Sequence, residues 1–97
     1  MRTVEEIKKI LINLKPEIQK KYKVKKLGIF GSYIKNQQKR GSDIDILVEY
    51  SEVPDLIDFI ELQSYLSNLL GIKVDLVMKS SLKPNIRRGI LREVIYL

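Results

Sequence analysis

Apolar residues recur at helical spacing along the first part of the chain, between Lys and Glu residues. Thr3 and Glu6 form a capping-box pattern that predicts a helix start, and we expect this helix to end near Tyr22. Pro16 lies inside the segment and predicts a kink or a restart, because proline has no backbone N–H to donate. The apolar positions that define the helix are Val4, Ile7, Ile10, Leu11, Leu14 and Ile18.

Two further segments carry helix signals. Pro54 and Asp55 open the second helix, and Gly71 stands where a glycine commonly ends one. Pro84 is expected to begin the third helix, which runs to about Leu91. The predicted apolar stripe of the second helix consists of Leu56, Phe59, Ile60, Leu62, Leu66, Leu69 and Leu70.

Short apolar or alternating runs between these helices predict strands. The runs cover residues 27–30, 44–48 and 73–77, and a short terminal strand is expected at 94–96. The resulting order, α-β-β-α-β-α before the terminal strand, is typical of an α/β (α+β) domain in which helices cover a sheet. We expect residues 1–97 to form a single domain.

The composition limits the chemistry that the chain can perform. It has 97 residues and contains no Cys, His or Trp. Disulfides, thiol nucleophiles, the usual zinc and iron sites and a Ser-His-Asp triad are therefore excluded. No run is apolar enough for a membrane span, and the N-terminus lacks a signal-peptide pattern, so we expect a cytoplasmic protein that binds no membrane.

The net charge of +6 is unevenly distributed. Residues 1–26 hold nine Lys/Arg and three acids, and residues 78–97 hold five Lys/Arg and one acid. Residues 27–77 hold four Lys/Arg and eight acids. An acidic centre between basic ends suggests a cation site that a polyanion approaches, although solvated helix faces explain many basic runs.

Three aspartates are the candidate catalytic residues. Asp43 and Asp45 point to one face of the second strand, because side chains alternate and the intervening Ile44 belongs to the core. Asp75 has the same setting between Val74 and Leu76, and it joins the pair if the two strands are neighbours. Adjacent carboxylates repel one another unless a cation lies between them, so we expect a Mg²⁺ site, with two ions.

A Gly-Ser pair before the aspartates is the candidate nucleotide-binding element. Gly31 lets the backbone approach a phosphate, and the Ser32 hydroxyl can bind a phosphate oxygen. Alone, a Gly-Ser pair usually marks a turn and an Asp-x-Asp motif a solvated strand edge, so the inference depends on their combination. The other predicted nucleotide-binding residues are Lys35, Arg40 and Ser42, and Lys39 could help to neutralise a triphosphate.

GIFGSY at 28–33, SDIDILV at 42–48 and VDLV at 74–77 resemble the polymerase-β-like nucleotidyltransferases, and among them the minimal single-domain group. The resemblance covers most of the chain. It implies a small mixed sheet flanked by helices, catalytic and metal-binding roles for Asp43, Asp45 and Asp75, and nucleotide binding at Gly31 and Ser32. The implied reaction is transfer of AMP from ATP to a hydroxyl, with release of pyrophosphate.

The resemblance also implies a partner. Minimal members are commonly encoded beside a helical HEPN protein, as antitoxin and toxin, and the antitoxin either covers the toxin or adenylylates a tyrosine on it. The family usually continues Ala-Arg-Gly-Glu after its Gly-Ser-aromatic motif, whereas this chain has Ile34, Lys35, Asn36 and Gln37. An enzyme is the favoured hypothesis, and a non-catalytic binding antitoxin is the main alternative. A nucleic-acid-binding module is a third hypothesis, which the scattered aromatic residues disfavour.

Overall fold

The computed structural model describes residues 2–39 and 41–97. Its elements follow the order that the sequence predicts, with a 3₁₀ turn at Gly31–Tyr33 and another at Lys79–Ser81. The helices and strands are α1 (Val4–Tyr22), β1 (Val24–Phe30), β2 (Ile44–Tyr50), α2 (Leu56–Leu70), β3 (Val74–Met78), α3 (Pro84–Glu93) and β4 (Ile95–Tyr96).

The four strands form one mixed sheet in the order β3-β2-β1-β4. β1 runs antiparallel to both β2 and β4, whereas β2 and β3 are parallel. Parallel neighbours need a crossover, and α2 supplies it. β2 and β3 therefore begin at the same end of the sheet. This arrangement confirms the α+β class and the mixed sheet flanked by helices.

The core lies between one face of the sheet and helices α1 and α2. Alternation along β2 sends Ile44, Ile46 and Val48 to this face, and all three are fully buried. The helices contribute Ile7, Leu11 and Ile18 from α1 and Leu62, Leu66 and Leu70 from α2. The opposite face of β2 carries Asp45, Leu47 and Glu49.

Local signals set the ends of the helices. The Thr3 side chain accepts the N–H of Glu6 at 3.2 Å, and the Asp55 side chain accepts the N–H of Asp58 at 2.7 Å. Gly71 ends α2 in the left-handed conformation, with φ of 66°. Within the described residues, none of the helices combines the length and apolar character needed to cross a membrane.

Three expectations about the elements are narrowed or corrected. Of the kink or restart expected at Pro16, the restart is absent, because α1 is one helix. β1 begins at Val24, three residues before the predicted start, because backbone pairing with β2 extends to Tyr50 past the exposed Lys25 and Lys26. The predicted apolar stripe of α2 divides: Leu56 and Ile60 lie on the side away from the sheet and are exposed, while Leu62, Leu66 and Leu70 enter the core.

A glycine pair tests the packing of the C-terminal strand. A Cβ on Gly28 would lie 2.5 Å from Val94 Cγ2, so we expect Gly28→Ala to displace β4 and lower the free energy of unfolding. Gly89 lies in α3 with no atom within 4 Å of an added Cβ, so Gly89→Ala should stabilise the protein by about 0.5–1 kcal/mol. Urea unfolding measures both. Equal effects of the two substitutions would contradict the assigned packing.

Candidate active site

Asp45 and Asp75 are direct neighbours across the parallel pair β2 and β3. Each is the second residue of its strand, so the shared end of the sheet brings both side chains together. Asp43 immediately precedes β2 at the same end. The parallel register therefore places all three predicted carboxylates in one region. From the sequence alone, this grouping depended on whether the two strands are neighbours.

The electrostatics of Asp45 show how close these groups are. Burial raises the pKa of Asp45 from 3.8 to about 6, and the charge of Asp75 adds to the rise. A hydrogen bond with the Asp75 side chain and the charges of Asp43 and Glu93 raise this pKa further. Without a cation, the protonated form of Asp45 thus persists to a higher pH than is usual for an aspartate.

The donor set suits a hard divalent cation, because it consists only of carboxylate oxygens whose repulsion such an ion would relieve. Among residues 2–39 and 41–97, however, no three acidic side chains converge as a ready-made metal site. The Asp43 carboxylate is half exposed, and its Oδ2 lies 3.9 Å from Lys73 Nζ. The three aspartates are therefore neighbours whose chemistry fits Mg²⁺, but they do not form a finished ligand cage.

Gly31 brings the backbone against this carboxylate pair. Its φ is +80°, which L-residues rarely adopt. A Cβ at this position would overlap Asp45 Oδ2. Conformation and space therefore both require glycine at the point where β1 passes into the 3₁₀ turn Gly31–Tyr33.

Glu93 is a member of the site that the sequence interpretation missed. Its Oε1 accepts the Gly31 N–H at 3.1 Å, and its Oε2 lies 3.2 Å from Lys35 Nζ. The last residue of α3 thus holds the Gly31 turn and orients a lysine beside it. A signal was present, because Glu93 is the single acid of the basic segment 78–97.

The remaining predicted nucleotide-binding residues are placed unequally. Ser32 lies half-buried in the Gly31–Tyr33 turn, and its carbonyl accepts the Gln37 N–H at 2.8 Å. The Ser42 hydroxyl accepts the Lys39 N–H at 2.8 Å, so it closes a local turn before Asp43. Arg40 lies outside the described residues. Among the predicted cationic residues, Lys35 is therefore the one that a described contact, its ion pair with Glu93, connects to the carboxylate region.

A known family and its relatives match nearly the whole length of the chain. Residues 11–97 match the nucleotidyltransferase domain family. A relative from Thermococcus cleftensis, the protein adenylyltransferase MntA, is 52% identical over 97 residues, which cover 100% of this chain and 98% of the relative.

Solved structures share the fold. A structure described as a minimal nucleotidyltransferase aligns with a TM-score of 0.85 and 29% identity over 99% of this chain and 97% of that one. A toxin–antitoxin with AMP-PNP aligns with a TM-score of 0.69 and 30% identity, covering 95% of this chain and 69% of that one. A tri-AMPylated Shewanella oneidensis HEPN toxin in complex with MNT antitoxin aligns with a TM-score of 0.61 and 27% identity, covering 95% of this chain and 66% of that one.

The raised pKa of Asp45 makes the metal-free protein sensitive to pH. Because this pKa is about 6 in the fold and 3.8 ordinarily, the stability gained from protonated Asp45 is full below pH 4 and is lost as the pH rises through 6. In EDTA, Asp45→Asn should raise stability at pH 7.5 by about 1 kcal/mol, after allowance for solvent screening, and have little effect at pH 4. Thermal unfolding measures the difference. The control Glu61→Gln removes an exposed charge on α2. An Asp45→Asn effect of the same size at pH 7.5 and at pH 4 would overturn the raised pKa assigned to Asp45.

Glu93 offers a second test. Glu93→Ala leaves the partly buried Gly31 N–H without its acceptor, which should lower the free energy of unfolding by about 1–3 kcal/mol. Glu93→Gln retains an acceptor oxygen and loses only the ion pair with half-exposed Lys35, so it should cost much less. Urea unfolding of the two variants separates these effects. An equal loss in both would show that the hydrogen bond to Gly31 is unimportant.

Proposed function

Since this chain belongs to the nucleotidyltransferase domain family and is a nucleotidyltransferase enzyme, we propose that it transfers AMP from ATP to a tyrosine hydroxyl of a HEPN-type partner, as the antitoxin of a toxin–antitoxin pair. The observation that carries the chemistry is the pairing of Asp45 with Asp75 beside the Gly31 backbone. AMP transfer is also supported by similar proteins, among them a protein adenylyltransferase and an MNT antitoxin in complex with a tri-AMPylated HEPN toxin.

Nucleotide binding is assigned to the turn beside the carboxylates. Gly31 lets the backbone pass close to a phosphate, and the Ser32 hydroxyl donates to a phosphate oxygen. Lys35 lies next to this turn through its contact with Glu93 and contributes positive charge toward the triphosphate. Ser42 holds the turn that leads to Asp43, so it acts on the nucleotide through the position of the backbone.

The carboxylates serve the metal and the acceptor. Asp43, Asp45 and Asp75 would hold Mg²⁺, which when bound neutralises phosphate charge and favours ionisation of the acceptor hydroxyl. Asp75 is exposed on the edge strand β3, where it can take the proton from that hydroxyl. The hydroxyl oxygen forms a bond to the α-phosphorus of ATP. The bond between the α-phosphorus and the oxygen that bridges it to the β-phosphorus breaks, and pyrophosphate leaves.

Tyrosine is a chemically suitable acceptor. Its phenol has a pKa of about 10, well below that of an aliphatic hydroxyl, so less assistance is needed to form the attacking oxyanion. Similar complexes support a HEPN protein as its carrier, because they join toxins of that type to MNT antitoxins.

A radiochemical assay tests the proposed reaction. The chain is incubated with Mg²⁺, α-labelled ATP and a HEPN protein from the same organism, and we expect label on a tyrosine of that protein. Asp43→Asn/Asp45→Asn should reduce the rate roughly 1,000-fold or more, because two of the three proposed Mg²⁺ ligands are lost, whereas the exposed Glu17→Gln on α1 should not change it. EDTA should abolish transfer and added Mg²⁺ should restore it. Equal labelling by the double variant, or no label from the wild type, would overturn the proposal.

A non-catalytic binding antitoxin is the second candidate, favoured by the exposed aliphatic residues Leu56 and Ile57 on α2. The same assay separates the two functions. Inhibition of the partner that persists in Asp43→Asn/Asp45→Asn, without any transfer by the wild type, would favour neutralisation by binding alone.

A further inference from the structure

Helix α2 has a second apolar side that does not enter the core. Leu56, Ile57 and Ile60 are 72%, 67% and 50% exposed, and Val53, just before the helix, is 96% exposed. Residues 56 and 57 lie four and three positions before residue 60, so each is a neighbour of Ile60 on one side of the helix. We call Val53, Leu56, Ile57 and Ile60 the α2 apolar face. Four large exposed aliphatics within eight positions form a patch of the kind that marks an interaction site.

The α2 apolar face continues into a groove at the edge of the sheet. A cavity of about 420 Å³ lies between the start of α2 and β3, which is an edge strand. Leu56 belongs both to the face and to the wall of this groove. The groove is lined by Pro54, Asp55, Leu56, Phe59, Leu76, Val77, Met78 and Ser81. The exposed helix side and the apolar groove therefore offer one extended surface to an incoming segment.

Acidic residues surround the α2 apolar face. Glu52, Asp55, Asp58 and Glu61 are all exposed and alternate in sequence with its aliphatics. Between residues 41 and 72 the chain has no Lys or Arg, although its net charge is +6. Glu52 is paired with Lys23, whose Nζ lies 3.2 Å from Glu52 Oε2, so the negative charge of the face comes from Asp55, Asp58 and Glu61. These three acids favour a ligand that combines apolar side chains with positive charge. An anionic membrane surface or a nucleic acid would be repelled.

A second copy of this chain does not match those requirements. A symmetric contact would place the acidic rims of two copies against each other. Among the described residues, the basic helix α1 presents only Ile12 as an exposed large aliphatic, and α3 presents only Ile86 between its basic residues. Neither supplies an aliphatic ridge that could cover four residues. The Arg-lined surface of α3 and the exposed Ile95 and Tyr96 of β4 offer one or two exposed large apolar residues each, fewer than the α2 apolar face, so we assign the complementary surface to a different protein.

We propose that the α2 apolar face binds the partner protein through an aliphatic segment flanked by Lys or Arg. This inference rests on the proposed function only in taking the docked protein to be the AMP acceptor. Asp45 is near the beginning of β2, and five residues of strand, roughly 16 Å, separate it from the end of β2 at Tyr50. The face follows that end of the strand. Docking and chemistry thus use opposite ends of the sheet, and the acceptor segment must reach from one to the other.

Titration calorimetry of the full chain with the HEPN protein that it labels tests the docking surface; if it labels none, HEPN proteins from the same organism are used. Leu56→Ser/Ile57→Ser should raise the Kd at least tenfold, because both residues are central to the face. Ile12→Ser, a matched exposed aliphatic on α1, should leave the Kd unchanged. Asp58→Lys/Glu61→Lys should also weaken binding and reverse its salt dependence, because it removes the charge complementarity. Since all these residues are exposed, thermal unfolding should show folded variants.

The outcomes separate this proposal from the enzymatic one. Asp43→Asn/Asp45→Asn should bind the partner as tightly as the wild type, and Leu56→Ser/Ile57→Ser should raise the KM for the partner while keeping kcat. Binding that depends on Leu56 and Ile57 without AMP transfer would overturn the proposed function and support docking. AMP transfer with unchanged partner affinity in the Leu56/Ile57 variant, or no binding by the wild type, would overturn docking. Self-association of the wild type that this variant abolishes would assign the face to a second copy and overturn it as well.

Discussion

The parallel pairing of β2 with β3 is the constraint on which the candidate site depends. It places Asp45 opposite Asp75 at the end where both strands begin, and the resulting repulsion and burial raise the pKa of Asp45 to about 6. The pairing requires the α2 crossover, so the helix that completes the core also fixes the distance between two carboxylates. An antiparallel partner in the position of β3 would bring a different residue beside Asp45.

Two contacts from distant parts of the chain complete this end of the sheet. Gly31 turns the backbone directly onto Asp45, where no other residue fits. Glu93, 62 residues away, accepts the Gly31 N–H and pairs with Lys35. The C-terminal helix therefore contributes to the Gly-Ser turn although it lies outside the sequence motif. A cation bound at the aspartates would therefore lie beside a Gly31 backbone that the Glu93 carboxylate already holds in place.

The two sides of helix α2 have different roles. Leu62, Leu66 and Leu70 pack one side of the helix into the core. Leu56, Ile57 and Ile60 lie on the other side and are exposed. Such exposure lowers solubility unless charge surrounds it, and the acids of segment 52–61 supply that charge. The same acids make the surface selective for a basic partner. The proposed catalytic and docking regions thus differ in location as well as in chemistry.

The sequence alone determined the order of elements, the caps at Thr3 and Asp55 and the outward direction of Asp45, because caps and alternation depend on residues a few positions apart. It also predicted which aspartates are candidates, through strand alternation and carboxylate repulsion, and a family resemblance implied the same three residues. It did not reveal the role of Glu93, the early start of β1 or the exposure of Leu56 and Ile60. These depend on which surfaces meet: helical periodicity shows that a side is apolar, but only packing decides whether the sheet or solvent covers it. Tertiary structure likewise decided that Asp75 lies beside Asp45, since strand order is a long-range property of the chain.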